Sequence, residues 1–239
     1  NHLLDEENAF IDTEEFAAAV RNSDNYYVLI TRENLYTLPY SVEEIYGIHS
    51  SGKYHDTRRI YNQMYQIYSD YQRLPIVPEK IITEDSNSGF DFFKAVGEER
   101  KISCESADGK SNIFHSLERI GKESVCVIAD GAAIGPEMDR LYKYAVQKKN
   151  IHLYFPESFE WLILQSGLIQ GKDIQAILEH PEDYIDSREY FSWERFFTSL
   201  LIDRTKDSYL RYSKAKLNET YLHGKNKEVI LNSIKGVKF

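Results

Sequence analysis

Between residues 80 and 166, short apolar runs alternate with longer stretches in which apolar residues return every three or four positions. KIITE (80–84) precedes GFDFFKAV, KISCES (101–106) precedes SNIFHSLERI, SVCVIAD (124–130) precedes PEMDRLYKYAVQKK, and IHLYF (151–155) precedes ESFEWLILQ. Continuous apolar runs of this length suit strands buried on both faces, and the three-to-four spacing suits amphipathic helices. Strand–helix alternation predicts an α/β fold with a parallel sheet covered on both sides.

The flanks read differently. Upstream, residues 2–5 look like a strand end, and Asp12-Thr-Glu-Glu15 has the spacing of a capping box that opens a helix running to about Arg21. YYVLIT (26–31) reads as a buried strand and VEEIYGI (42–48) as another. Residues 58–71 place Ile60, Tyr61, Met64, Tyr65, Ile67, Tyr68 and Tyr71 at mostly helical spacing, with a strand as the alternative. After Gly171 the pattern is helical, with YFSWERFFTSLLIDR the strongest amphipathic segment and LNETYLHGKNKEVILNSIKG a helical tail. In QRLPIVPEK (72–80), Pro75 and Pro78 hold their predecessors extended and mark a boundary. The organisation expected is therefore 1–74, 75–170 and a helical extension over 171–239.

Composition adds few constraints. With 42% apolar and 28% charged residues, the chain can bury a core. The first Met is Met64, so residue 1 is not expected to be a natural start. No apolar run is long enough to cross a bilayer and no signal peptide is visible, which makes a cytoplasmic protein without a membrane partner the expectation. Cys104 and Cys126 lie in strand-like runs with no CxxC or Cys/His cluster, so they read as buried thiols and not as zinc ligands.

A net charge of −9 argues against non-specific coating of nucleic acid. The basic residues that collect in the tail, including Arg211, Lys214, Lys216, Lys225 and Lys227, read first as a solvated face. Ten of the 18 tyrosines lie in residues 1–71, where packing explains them more simply than base stacking.

Ligands of open α/β sheets gather outside the carboxyl ends of the strands. Here four successive strand ends carry acids: Glu84 and Asp85, then Asp108, then Asp130, then Glu157 and Glu160. Gathered carboxylates repel one another unless a cation offsets them, and hard oxygen ligands suit Mg²⁺ or Mn²⁺. The competing explanation is that these acids cap the helices that follow, which fits Glu137 after Pro136 best. The stretch CESADGKSN ends Gly109-Lys110-Ser111 like a phosphate-binding P-loop, but Cys104 stands where the first glycine belongs. Lys110 remains a candidate to meet an anionic substrate. No GxSxG occurs, and the seven histidines are scattered, so a nucleophilic triad is not expected.

ITEDSNSGFDFF, SADGKSNIF, VIADGAAIGPEMDRL and YFPESFEWLIL, in this order, resemble a Toprim-type domain of the kind found in overcoming-lysogenization-defect nucleases. The resemblance covers residues 79 to about 166. It implies a parallel-sheet βαβαβαβ domain in which Glu84 is the acid/base or metal-linked glutamate, Asp130 the first metal-binding aspartate, and Glu157 or Glu160 a further metal ligand, with Lys110 beside them. The second aspartate of the family's Asp-x-Asp pair is Ala132 here.

LLDEEN, followed by a helix and YYVLITREN, is similar to the Walker B to switch-strand part of ABC-type ATPases over residues 2 to about 55, a partial P-loop ATPase α/β segment. By that likeness Asp5 and Glu6 serve the nucleotide, and Arg32 stands at the switch position. ATP binding would require a P-loop half that does not occur in the chain.

Together these likenesses imply an ATPase-coupled, Mg²⁺- or Mn²⁺-dependent nuclease acting on DNA or RNA, and often a homodimer. A Toprim-like module that has lost catalysis and binds a regulatory partner is the alternative, and a structural domain whose acids only cap helices is a third.

Overall fold

In the computed structural model, the described residues are 2–4, 9–51, 61–70 and 75–239. Three-residue strands β1 (His2–Leu4) and β2 (Tyr27–Leu29) pair in parallel, separated by helix α1 (Glu14–Arg21). Thr13, not Asp12, caps α1: its Oγ1 accepts the Phe16 amide at 3.2 Å, while Asp12 accepts from Thr37. Strand β2 is shorter than the apolar run YYVLIT and is not buried, since Val28 is 52% exposed. A 3-10 turn at Val42–Glu44 replaces the start of the expected strand, and β3 (Tyr46–Ser51) pairs antiparallel with β4 (Tyr61–Gln66). Residues 61–66 therefore take the strand alternative, with one helical turn, α2 (Ile67–Asp70), after it. Of the tyrosines in this part, Tyr68 stacks on Phe155, whereas Tyr26, Tyr36 and Tyr46 are exposed, so packing explains only some of them.

The regular part forms as the alternation requires. Strand β5 (Lys80–Thr83) leads through α3 (Ser88–Arg100) to β6 (Ser103–Ser106), and α4 (Lys110–Glu118) leads to β7 (Val125–Ile128). Helix α5 (Met138–Gln147) then leads to β8 (Ile151–Tyr154), followed by α6 (Phe159–Gln165). The four strands are all parallel in the order β6-β5-β7-β8.

Side chains of successive strand residues point to opposite faces, and the core divides accordingly. Ile82, Val125 and Val127 pack with Ile113, Leu117 and Leu141 of α4 and α5. Ile81, Cys126 and Ile128 pack with α3 and α6 on the other face.

That second face is shared with the extension. Helices α7 (Ile174–Glu179), α8 (Trp193–Thr205) and α9 (Gly224–Asn232) deliver Ile177, Phe197, Leu201 and Ile230 to the same cluster, with Tyr221 from the turn before α9. The proline-flanked stretch is clasped to the C-terminus: Ile76 forms a parallel bridge with Val237, and the Lys238 amide donates to Ile76 O at 2.8 Å. The basic tail is solvated only in part. Lys227 is 7% exposed and pairs with Glu99, and Lys214 pairs with Glu194. No described helix is long and apolar enough to cross a membrane.

Candidate active site at the carboxyl edge of the sheet

The chain runs from β5 outward to β6 on one side, then returns to place β7 and β8 on the other. The reversal opens a crevice between the carboxyl ends of β5 and β7, the place where open α/β sheets bind ligands. Glu84 directly follows β5 and Asp130 lies two residues beyond β7. The Glu84 amide donates to Ile128 O at 3.1 Å, which extends the ladder by one step, and the Asp130 amide donates to Glu84 Oε2, also at 3.1 Å. The two acids are thus tied by the sheet's own register.

A small pocket of about 40 Å³ opens here, lined among others by Glu84, Asp130, Glu160, Ser88, Tyr212 and Lys214. Ser158 caps α6 by accepting the Trp161 amide, which sets Glu160 in the helix's first turn, 1% exposed and facing the pocket. Tyr212 donates its hydroxyl to Glu160 Oε1 at 2.8 Å and lies 2.5 Å from Ser88 Oγ. Lys214 comes from the segment after α8 and ion-pairs with Glu194 at the start of that helix.

Burial, reinforced by Glu194 and by Asp85, raises the Glu84 carboxyl to about 7 against the pull of the Asp130 amide. Asp130 is driven well above the usual carboxylate range by burial, and then by Glu194, Glu84 and Glu160. Burial works against the charge on Lys214, but Asp130, Glu160 and Glu194 together outweigh it and hold the ammonium protonated above the ordinary lysine range.

A wider cleft of about 410 Å³ adjoins the pocket, with Glu84 common to both. Lys110, Ser111, Phe191, Glu194 and Arg195 are among its walls. Lys110 donates to Ala133 O at 2.9 Å, which leaves further N–H groups on its ammonium. The Arg195 guanidinium stacks over the exposed Phe191 ring, 5.4 Å from its centroid. The P-loop-like stretch is a strained turn: Asp108 and Gly109 both have positive φ, and Gly109 leads into α4.

The structure brings Glu84, Asp130 and Glu160 to one pocket, with Lys110 in the adjoining cleft. Glu157 is not among them. It is turned toward the N-terminal segment, where it accepts the Ser41 hydroxyl at 2.6 Å, and its other oxygen is buried without a partner. Burial raises its carboxyl to about 8. Asp85 folds back onto Asn87, Asp108 accepts from Ser106, and Glu137 pairs with Arg140 at 2.9 Å. Asp5 and Glu6 lie outside the described residues. Cys104 is half-buried, with its thiol raised to about 12 mainly by burial, and Cys126 is fully buried, so neither is an activated nucleophile.

Tyr212, Lys214, Glu194 and Arg195 are site residues that sequence reasoning missed. Each lies in a stretch whose local pattern shows only a helix or a basic tail.

A divalent ion does not fit this arrangement. Among the described residues no group of three or more His, Cys, Asp or Glu side chains is placed to hold a metal. Ala132 supplies no oxygen ligand from its side chain, Glu157 faces Ser41, and an ammonium stands among the remaining acids. No protein-family model matches the chain, and neither does any curated protein or solved structure.

Proposed function

We propose that this edge handles nucleic-acid phosphodiesters, as the nuclease-like end of an ATPase-coupled protein of Toprim-like type. One observation carries the reading: Glu84, whose carboxyl is pushed up to about 7 by burial, lines both the acid pocket and a cleft bearing Lys110, Ser111 and Arg195. A group that gains and loses a proton near neutrality can accept one from an attacking water or return one to a leaving oxygen. Lys110 and Arg195 supply the positive charge that a phosphate needs as negative charge builds on its oxygens. The cleft has room for a short stretch of backbone. No step is routed through a metal, and a nucleotide-dependent trigger through Asp5 and Glu6 belongs to the same proposal.

The test is fluorescence anisotropy with short labelled single- and double-stranded DNA and RNA in EDTA, comparing the 239-residue chain with Lys110→Ala/Arg195→Ala. Binding that weakens about tenfold in the double variant, together with a shallower salt dependence, supports the reading. Cleavage that falls in Glu84→Gln, and whose rate turns over near pH 7 in the unsubstituted chain, assigns the proton-handling role. No binding by the unsubstituted chain overturns it.

A second reading is a partner-binding module without catalysis, favoured by Ala132 and by the ammonium among the acids. It predicts intact folding and no nucleic-acid cleavage under any ionic condition.

A further inference from the structure

Four carboxyl groups gather at this edge, those of Glu84, Asp130, Glu160 and Glu194; beyond the effect of burial, Glu194, Glu84 and Glu160 raise the cost of ionising Asp130, and Glu194 that of ionising Glu84. Their counter-charge comes from within the chain. The segment 212–217 crosses the start of α3 as a strap. Lys214 O accepts the Ser88 amide at 3.0 Å, Tyr212 is bonded to both Glu160 and Ser88, and the Leu217 amide donates to Asp91 at 3.4 Å. These contacts fix the backbone on either side of Lys214 and direct its side chain to Glu194 and the pocket. Lys110, a second cation nearby, is engaged with Ala133 O on the cleft side, where Arg195 also lies.

We infer that Lys214 is the resident cation of the acidic edge and stands in place of the divalent ion that a Toprim-like edge implies. A lysine tethered at four points along its own strap is present at a fixed, high local concentration, so a free ion must displace it to enter. The pocket is also too small to hold both charges apart. The same carboxyl groups therefore already hold a cation of the chain's own while the strap is seated. The inference deepens the phosphodiester reading by naming what controls ion entry at that site. Its measurement uses no nucleic acid, so the two ideas fail separately.

The experiment is Mn²⁺ titration of the 239-residue chain, followed by calorimetry and by loss of the free-ion EPR signal, near neutral pH. The unsubstituted chain and Lys214→Arg, which keeps the charge, are expected to show no saturable tight site. Lys214→Met is expected to bind Mn²⁺ at least about tenfold more tightly, and Lys214→Met/Asp130→Asn to lose that gain. Added Mn²⁺ should raise the melting temperature of Lys214→Met and leave that of the unsubstituted chain unchanged. Equal Mn²⁺ affinity in the unsubstituted chain and Lys214→Met overturns the inference, as does a Lys214→Met protein that is folded by circular dichroism and gains no affinity. If Lys214→Met does not fold, Tyr212→Phe, which loosens the strap and keeps the lysine, is titrated instead. A gain of about threefold supports displacement, and no gain overturns it.

Discussion

Ser41 and Glu157 lie 116 residues apart in the chain, yet the serine hydroxyl donates to the glutamate across 2.6 Å in a buried contact. The hydrogen bond joins the N-terminal segment to the strand-end loop after β8. It also accounts for the orientation of Glu157, which looks in the sequence like an equal alternative to Glu160.

Because the folded Glu157 carboxyl is raised to about 8 from an ordinary value of 4.5, the folded chain keeps a proton there that the unfolded chain releases. This contribution to stability is full below about pH 4.5 and is lost as pH rises through 8. Glu157→Gln keeps an acceptor for Ser41 and removes the titration. Its melting temperature should match the unsubstituted chain at low pH and exceed it above pH 8, with a gain in stability of up to about 5 kcal/mol for a carboxyl raised from 4.5 to about 8. Equal pH dependence of the two melting curves would rule this out.

Gly131 sits between Asp130 and Ala132 with no space for a side chain. A Cβ there would lie 2.6 Å from Phe155 O and 2.9 Å from Pro156 O, both backbone atoms, and Pro156 O accepts the Gly131 amide. Gly131→Ala should cost about 1–3 kcal/mol, as overpacking does, because the backbone segments just beyond β7 and β8 would have to part and the Gly131–Pro156 hydrogen bond would be disturbed. Urea denaturation reads this directly, and an unchanged midpoint would contradict the tight approach.

Tyr221 is fully buried and its hydroxyl donates to Leu210 O at 2.6 Å. Tyr221→Phe removes the donor but keeps the ring, leaving a buried carbonyl without its partner at a cost of about 1–3 kcal/mol. If the extension shares one core with the sheet, thermal unfolding should remain a single transition displaced to lower temperature. An early, separate transition of the extension would show that the two parts melt independently.

The alternation of apolar runs and helical spacing over 80–166 makes the four-stranded parallel sheet legible, because β5, β7 and β8 are largely buried and leave a continuous apolar signature, while edge strand β6, with Ser103 and Glu105 exposed, is placed by the alternation alone. Acids at the strand ends were equally visible, and Glu84 and Asp130 do meet at the crevice. What local pattern could not carry was long-range. Lys214 looks like one of several tail lysines until α8 packs on α6 and the strap crosses the start of α3. Glu157 and Glu160 look alike until the α6 cap turns one inward and Ser41 holds the other. The flanking segments were misjudged for a related reason. YYVLIT keeps only the three-residue β2, and VEEIYGI opens with a 3-10 turn before its last residues enter the six-residue ladder of β3 with β4.

The bridge between Ile76 and Val237 brings the two ends of the 75–239 stretch side by side. A unit whose entry and exit points adjoin can be set into a loop of another protein without stretching its host, and a short peptide can join its ends while new ones are opened elsewhere. A circular permutant of 75–239 opened at the exposed turn around Lys122 should therefore keep the order β6-β5-β7-β8 and its acidic edge, at a cost in stability from the lost Ser41 and Tyr68 contacts of the N-terminal segment.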